Sequence, residues 1–233
     1  MTYLSDQGVV TGCDGSHQWM LPWWFFHFRK HNPNIPVGFF NFGGMTQECI
    51  KWCSTNGYYA DLSDIKTKMN WFKKPFAIWH SPFKKTMWMD NDCETQKPVD
   101  GFFSFVTNEK EISATYDPFN TFCISYTHRV IKNPIATGVI VSYSNNELIG
   151  EWARKCRQAN QIRGDQEVLN YILSIRKKNK EYTTKIRIMP AEYQWLRIYN
   201  QINTNAYIMH WTGPDGKKHI KKCIDDLKPE NSF

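Results

Sequence analysis

Asp90 and Asp92 stand two residues apart, with Asn91 between them, directly after the apolar run Met87-Trp88-Met89. Side chains two apart on an extended strand point the same way, so this spacing delivers two carboxylates to one side of a strand end. Paired oxygen donors suit Mg²⁺ or Mn²⁺, with coordination positions left for a diphosphate. The plainer reading of a lone acid-x-acid tripeptide is a polar turn, and three further segments bear on the choice. Ala136-Thr137-Gly138 sets small residues ahead of an apolar run, where something can approach the backbone closely. Gly164-Asp165-Gln166 puts an acid and an amide at a helix start, which by itself reads as a cap. Ile208-Met209-His210 ends a strand on a histidine that either packs or completes a metal shell. Gly213 and then Lys217-Lys218 follow, residue types that hold phosphate oxygens.

The elements that must position these residues alternate. Gly8–Cys13 reads as a buried strand ending in a small-residue turn. Asp14 and Ser16 are expected to cap a helix to about Lys30, with Pro22 in its first turn. Val37–Phe42 is a second strand, broken by Gly43-Gly44, and Met45–Thr55 is a helix stopped by Asn56-Gly57. This β-α-β-α order predicts a parallel sheet covered by helices. A helix over Lys74–His80 precedes a strand over Lys84–Met89. Short aromatic strands are expected from Phe102 to Val130, then a strong strand at Ala136–Tyr143. Asn145 or Asn146 caps a helix with Leu148, Trp152 and Cys156 on one face. A second helix runs from Gly164 to about Lys178, and late strands are expected at Ile186–Met189 and Ala206–Met209. No linker divides the chain. The expectation is one α/β domain over residues 1–224 and a polar tail over 225–233.

Composition narrows the class. Aromatics make up 15% of the 233 residues, including 10 Trp, enough for a dense core. The apolar run Trp19–Phe28 is interrupted by Pro22 and His27 and is too short to span a bilayer, and no basic-then-apolar leader is visible. A protein without a transmembrane segment, working in the cytoplasm (of the host cell if its source is viral), is expected. The seven scattered cysteines read as free thiols of a reducing compartment. Residues 1–150 carry 13 basic and 13 acidic side chains, and residues 151–233 carry 16 and 9, so the whole net charge of +7 lies in the last third. That asymmetry suits a phosphate-bearing ligand, a polyanion or an anionic membrane surface, or simply a solvated basic face.

In this order the segments resemble the GT-A glycosyltransferases, and among them glycosyltransferase family 8, which includes lipopolysaccharide galactosyltransferases and glycogenins. The resemblance rests on Val9-Val10-Thr11-Gly12, Asp90-Asn91-Asp92, Ala136-Thr137-Gly138-Val139, the Gly164–Asn170 segment and His210-Trp211-Thr212-Gly213. It implies a single Rossmann-like GT-A domain, mostly parallel with a smaller antiparallel addition. It implies a nucleotide-sugar donor, most often a UDP-sugar, and a Mn²⁺ or Mg²⁺ ion held by Asp90, Asp92 and His210. By the same resemblance Thr11, Gly12 and Asp14 hold the base and ribose, and Lys74, with Lys73 beside it, contacts the donor together with Asn91. Ala136, Thr137, Gly138, Asp165 and Gln166 surround the donor sugar, and Gly213 and Lys217 hold phosphate. Departures are Gly216 where the family has its phosphate lysine, no following Pro-Trp, and no tyrosine to stack on the base, for which His17 or Trp19 stands in.

The implied reaction breaks the bond between an anomeric carbon and a diphosphate and passes the sugar to an acceptor hydroxyl. Family 8 implies retention, with Asp165 or Gln166 beside the sugar. A glycan is the expected acceptor, and a modified DNA base, as used by some bacteriophage enzymes, is the alternative. A nucleotidyltransferase is a competing class, but Thr11–Gly15 is short and lacks Lys or Arg. A non-catalytic nucleic-acid-binding module rests only on a pI near 9.0.

Overall fold

The first strand, β1 (Ser5–Cys13), buries its last six residues, because it is flanked by parallel partners on both edges and helices cover both faces. Val9 pairs with Val37 of β2 (Val37–Asn41), and Val10 pairs with Trp88 of β4 (Phe83–Met89). The computed structural model describes residues 2–118, 121–123, 130–160, 162, 164–180, 183–199 and 203–226. Between β2 and β4 along the chain comes β3 (Tyr58–Asp61), parallel to β2 and not expected from the sequence. Its residues are half-buried at the sheet edge, so it lacks the apolar run that marks an interior strand.

Helix α1 (Leu21–His31) starts later than expected. The Asp14 carboxylate accepts from the Ser16 amide at 3.1 Å and so closes its own turn instead of capping a helix. A 3₁₀ turn, Gln18–Met20, intervenes, and Pro22 sits in the first turn of α1. Helix α2 (Gln47–Asn56) is capped by Thr46, and α3 spans Lys74–Trp79. Helix α4 (Glu147–Gln158) is capped by Asn146, whose Oδ1 accepts from the Leu148 and Ile149 amides. Helix α5 spans Asp165–Asn179.

The remaining strands are β5 (Cys93–Thr95), β6 (Glu111–Tyr116), β7 (Thr121–Cys123), β8 (Val130–Lys132), β9 (Ile135–Tyr143), β10 (Lys185–Ile188), β11 (Trp195–Leu196) and β12 (Ile208–His210). The aromatic stretch Phe102–Phe105, expected as strand, is part of a 3₁₀ helix that buries Phe102 and Phe103. The expected strand content of residues 124–129 lies outside the described residues. Helix α6 (Gly213–Asp226) was not expected from the sequence. It passes the expected domain boundary at residue 224 by two residues, and residues 227–233 of the expected tail lie outside the described residues.

The main sheet has the order β10-β6-β9-β4-β1-β2-β3, with β9 alone antiparallel to its neighbours. A small sheet, β11-β12-β5, joins β12 antiparallel to β5, and β7 and β8 form an antiparallel pair. The chain leaves β1 toward β2 and β3 and returns on its other side as β4. Ligands bind beyond the carboxyl ends of the strands at such a switch point. One face of the sheet packs Trp24, Phe28 and Phe39, and the other packs Trp88, Leu148 and Trp152. Cys13, Cys49, Cys53, Cys93, Cys156 and Cys223 are free thiols, and the reading of Cys123 lies outside the described side chains. Among the described residues no helix is long and apolar enough to cross a membrane.

Candidate active site

The carboxyl end of β4 delivers Asp90, whose amide is tied to the Gly138 carbonyl of β9 at 2.8 Å. Lys74, the first residue of α3, is almost wholly buried. Its ammonium lies 2.9 Å from Asp90 Oδ1 and 3.1 Å from Asp165 Oδ2 at the start of α5. The Trp88 indole also donates to Asp90 Oδ1, at 2.6 Å. Three elements, α3, β4 and the sequence-distant α5, therefore meet on one cation.

On the other side of Asp90, β12 brings in His210, because β12 and β5 pair with His210 opposite Cys93. His210 Nε2 lies 3.0 Å from Asp92 Oδ1 and 3.7 Å from Asp90 Oδ2. The Trp211 amide donates to the Asp92 carbonyl at 2.9 Å, which locks the acidic turn to β12. Helix α6 then packs so tightly that a Cβ on Gly216 would overlap the Trp211 carbonyl. Lys217 thereby reaches the same cavity, whereas Lys218 pairs with Asp215 at the surface.

The cavity is open and about 280 Å³ in volume. Gly12, Asp14, Lys74, Asp90, Asn91, Asp92, Asp165 and Lys217 line it, all singled out in the sequence. His17, Asn70 and Trp71 also line it. Asn70 donates to Asp14 Oδ2 at 3.0 Å, so the turn after β1 and the turn before α3 meet there. Trp71 is 43% exposed. It escaped the sequence reading, although it stands three residues before Lys74. His17, but not Trp19, lines the cavity, since Trp19 packs on the core.

The other expected residues lie behind the lining. Thr11 is buried, and its hydroxyl has no partner among the described residues. Ala136 is buried. Thr137 donates its hydroxyl to Asp165 at 3.1 Å and its amide to Gln166 at 3.2 Å. Gln166 donates in turn to Asp117 at 2.7 Å. At Gly138 the close approach is made by the chain itself: a Cβ there would overlap the His210 ring and the Gln194 amide. Gly213 opens α6 at a φ of +80°, a conformation that favours glycine, and is outside the cavity lining. Lys73 is turned away and donates to the Phe42 and Ser63 carbonyls.

Charge inside the site is balanced by contact. Burial opposes a charge on Lys74, but Asp165 and Asp90 outweigh it and raise its pKa. Burial raises Asp90, helped by Asp92 and Asp165, against the pull of Lys74 and His210. Burial also pushes Asp92 upward, yet His210, Lys217 and Lys74 overcome that and hold it low. Burial disfavours a charged His210, and Asp92 with Asp90 reverses the direction. In the turn after β1 burial would raise Asp14, but hydrogen bonds from Ser16, Asn70 and His17 bring it to about 2. The Cys93 thiol is pushed well up by burial and by Asp92.

The overall arrangement has solved counterparts. An active-site mutant of LgtC superposes with a TM-score of 0.65 at 11% identity, over 96% of this chain and 98% of that one. The fold is GT-A. The galactosyltransferase LgtC in complex with donor and acceptor sugar analogues gives a TM-score of 0.63 at 11% identity, over 96% of this chain and 98% of that one. The glycosyltransferase GlyE of Streptococcus pneumoniae TIGR4 gives 0.62 at 13% identity, over 97% of this chain and 66% of GlyE. No family model and no curated protein matches the sequence. The GT-A sheet accounts for the placement of the cavity at the ends of β1 and β4.

The residues at this edge offer donors of the kind a divalent cation takes. Asp90 and Asp92 supply oxygens and His210 an imidazole nitrogen, and they converge from β4, its following turn and β12. The sequence reading missed one nearby donor: Asp92, Cys93 and His210 each offer a ligand atom, all within 4.8 Å of one another.

Proposed function

We propose that this chain is a glycosyltransferase that moves a sugar from a nucleotide diphosphate, a UDP-sugar first of all, to a hydroxyl of a glycan acceptor. The observation that carries the reading is the convergence of Asp90, Asp92, Lys74 and Lys217 on one cavity at the switch point of a GT-A sheet, with His210 against Asp92 behind the lining. Asp90, Asp92 and His210 would hold Mn²⁺ or Mg²⁺. When bound, that ion supplies neutralisation of the charge that develops on the departing diphosphate. Lys217, which lines the cavity, adds a positive charge. Lys74 is fully engaged by Asp90 and Asp165, so it orients those two carboxylates more than it contacts phosphate.

The base belongs between the Asp14 turn and Trp71, where a flat exposed ring can stack on it. The sugar then falls toward Asp165, with Gln166 and Thr137 behind it. An inverting transfer needs a free carboxylate base opposite the leaving group. Asp165 is held by Lys74 and Thr137, Asp90 by Lys74 and Trp88, and Asp92 by His210. This supports retention, in which the departing phosphate accepts the proton of the acceptor. The complex of LgtC with donor and acceptor sugar analogues supports a glycan acceptor over DNA. The free thiols agree with a cytoplasmic location.

Calorimetry with UDP-, GDP-, CMP- and dTDP-sugars, with and without Mn²⁺, tests the reading. The expected result is Mn²⁺-dependent binding of one donor class, followed by release of free nucleoside diphosphate when acceptor is added. Release of pyrophosphate, or binding of none of these donors, would overturn it.

A further inference from the structure

Gln194, in the 3₁₀ turn Ala191–Gln194, is 1% exposed and makes three contacts that fix its amide. Its Oε1 accepts from the Val139 backbone amide at 3.0 Å and from the Thr115 hydroxyl at 3.3 Å. A backbone N–H is only a donor, so this contact decides which end of the amide is oxygen. The other end, Nε2, therefore faces His210 Nδ1 at 2.9 Å as a donor. With the amide so placed Nδ1 accepts, which selects, of the two neutral tautomers, the one whose proton sits on Nε2 and is donated to Asp92 Oδ1 at 3.0 Å. Gly138 leaves room for this pair, since any side chain there would strike both His210 and Gln194.

A metal-ligating histidine needs the opposite arrangement: a bare Nε2 toward the metal and the proton on Nδ1, given to a carboxylate or carbonyl oxygen. We infer that Gln194 is a positioning residue that holds His210 in the tautomer unsuited to ligation, so that metal entry at the Asp90–Asp92 site must turn the Gln194 amide over. Turning it leaves the Val139 amide facing an NH₂ group in a buried site, which opposes metal binding. A glutamate at this position lifts the opposition: its carboxylate accepts from Val139, Thr115 and His210 Nδ1 together. The inference rests on the metal-dependent reading above for its consequence, but not for the tautomer itself.

Two measurements test it. Long-range ¹H–¹⁵N spectra of the metal-free wild-type protein should show His210 with a bare Nδ1 and a protonated Nε2. A proton on Nδ1, or an imidazolium at neutral pH, overturns the inference. Mn²⁺ titration, read from the free-ion paramagnetic resonance signal at mildly alkaline pH, should show Gln194→Glu binding about ten- to a hundredfold tighter than wild type. Equal or weaker binding by a variant with native circular dichroism also overturns it. Should that variant not fold, the wild-type spectrum decides. Failure of both proteins to bind Mn²⁺ removes the metal-dependent function, and the tautomer is then judged by the spectrum alone.

Discussion

Lys74 and Asp165 form a buried ion pair at 3.1 Å that ties the first turn of α3 to the first turn of α5. Its second partner, Asp90, comes from the end of β4. The pair thus holds two helices and the central sheet in one register around the cavity. Removing the cation leaves two carboxylates facing each other without compensation. Lys74→Met is expected to cost about 3–5 kcal/mol, read as a lower urea midpoint, and to abolish donor binding. A variant as stable as wild type would show that water screens the two acids.

Asp92 stands in the acidic turn that follows β4. The structure buries it, with its carboxylate on His210. Truncation to alanine would orphan that histidine. Asp92→Asn keeps an acceptor for the His210 Nε2 proton and removes only the charge. Thermal melting close to wild type is expected, together with loss of Mn²⁺-dependent UDP binding. Retained Mn²⁺-dependent binding would take Asp92 out of the metal site.

Trp71 is exposed and lines the cavity. Loss of one base–aromatic stack costs about 1–3 kcal/mol. Trp71→Ala is therefore expected to weaken UDP binding by about tenfold or more in calorimetry, with the melting temperature unchanged. An unchanged affinity would move the base elsewhere in the cleft.

Glu111 of β6 takes the Thr107 amide at 2.8 Å on one oxygen and the Arg187 guanidinium of β10 on the other. The Thr107 hydrogen bond leads, and together these contacts lower its pKa from 4.5 to about 2. A carboxyl lowered on folding contributes stability that is complete above its unfolded value. That contribution is lost as pH falls from about 4.5 through about 2. Denaturation followed across this window should show wild type losing its margin over Glu111→Gln. Parallel pH profiles for the two proteins would contradict this.

The site was legible where adjacency in sequence becomes adjacency in space. Asp90 and Asp92 share a strand end, and Asp165 starts a helix whose apolar spacing marked it. Lys217 could be separated from Lys218 only by seeing that α6 turns one toward the cavity and the other toward Asp215. Helix α6 itself was hidden because its first residues are turn formers, and it is held by packing against Trp211. Gln194 carried no sequence signal, since its role depends on a backbone amide of β9.

What the sequence determined by itself is local: apolar periodicity, caps and turn residues set β1, β2, β4, β9 and most helices, and so the α/β class. What only the tertiary structure decided is which ends of those elements meet. Burial draws Lys74 between Asp90 and Asp165, and β12 pairs with β5 to set His210 on Asp92. Those contacts follow from the packing of segments far apart along the chain, where periodicity carries no information about partners or about the hydrogen atom shared between them.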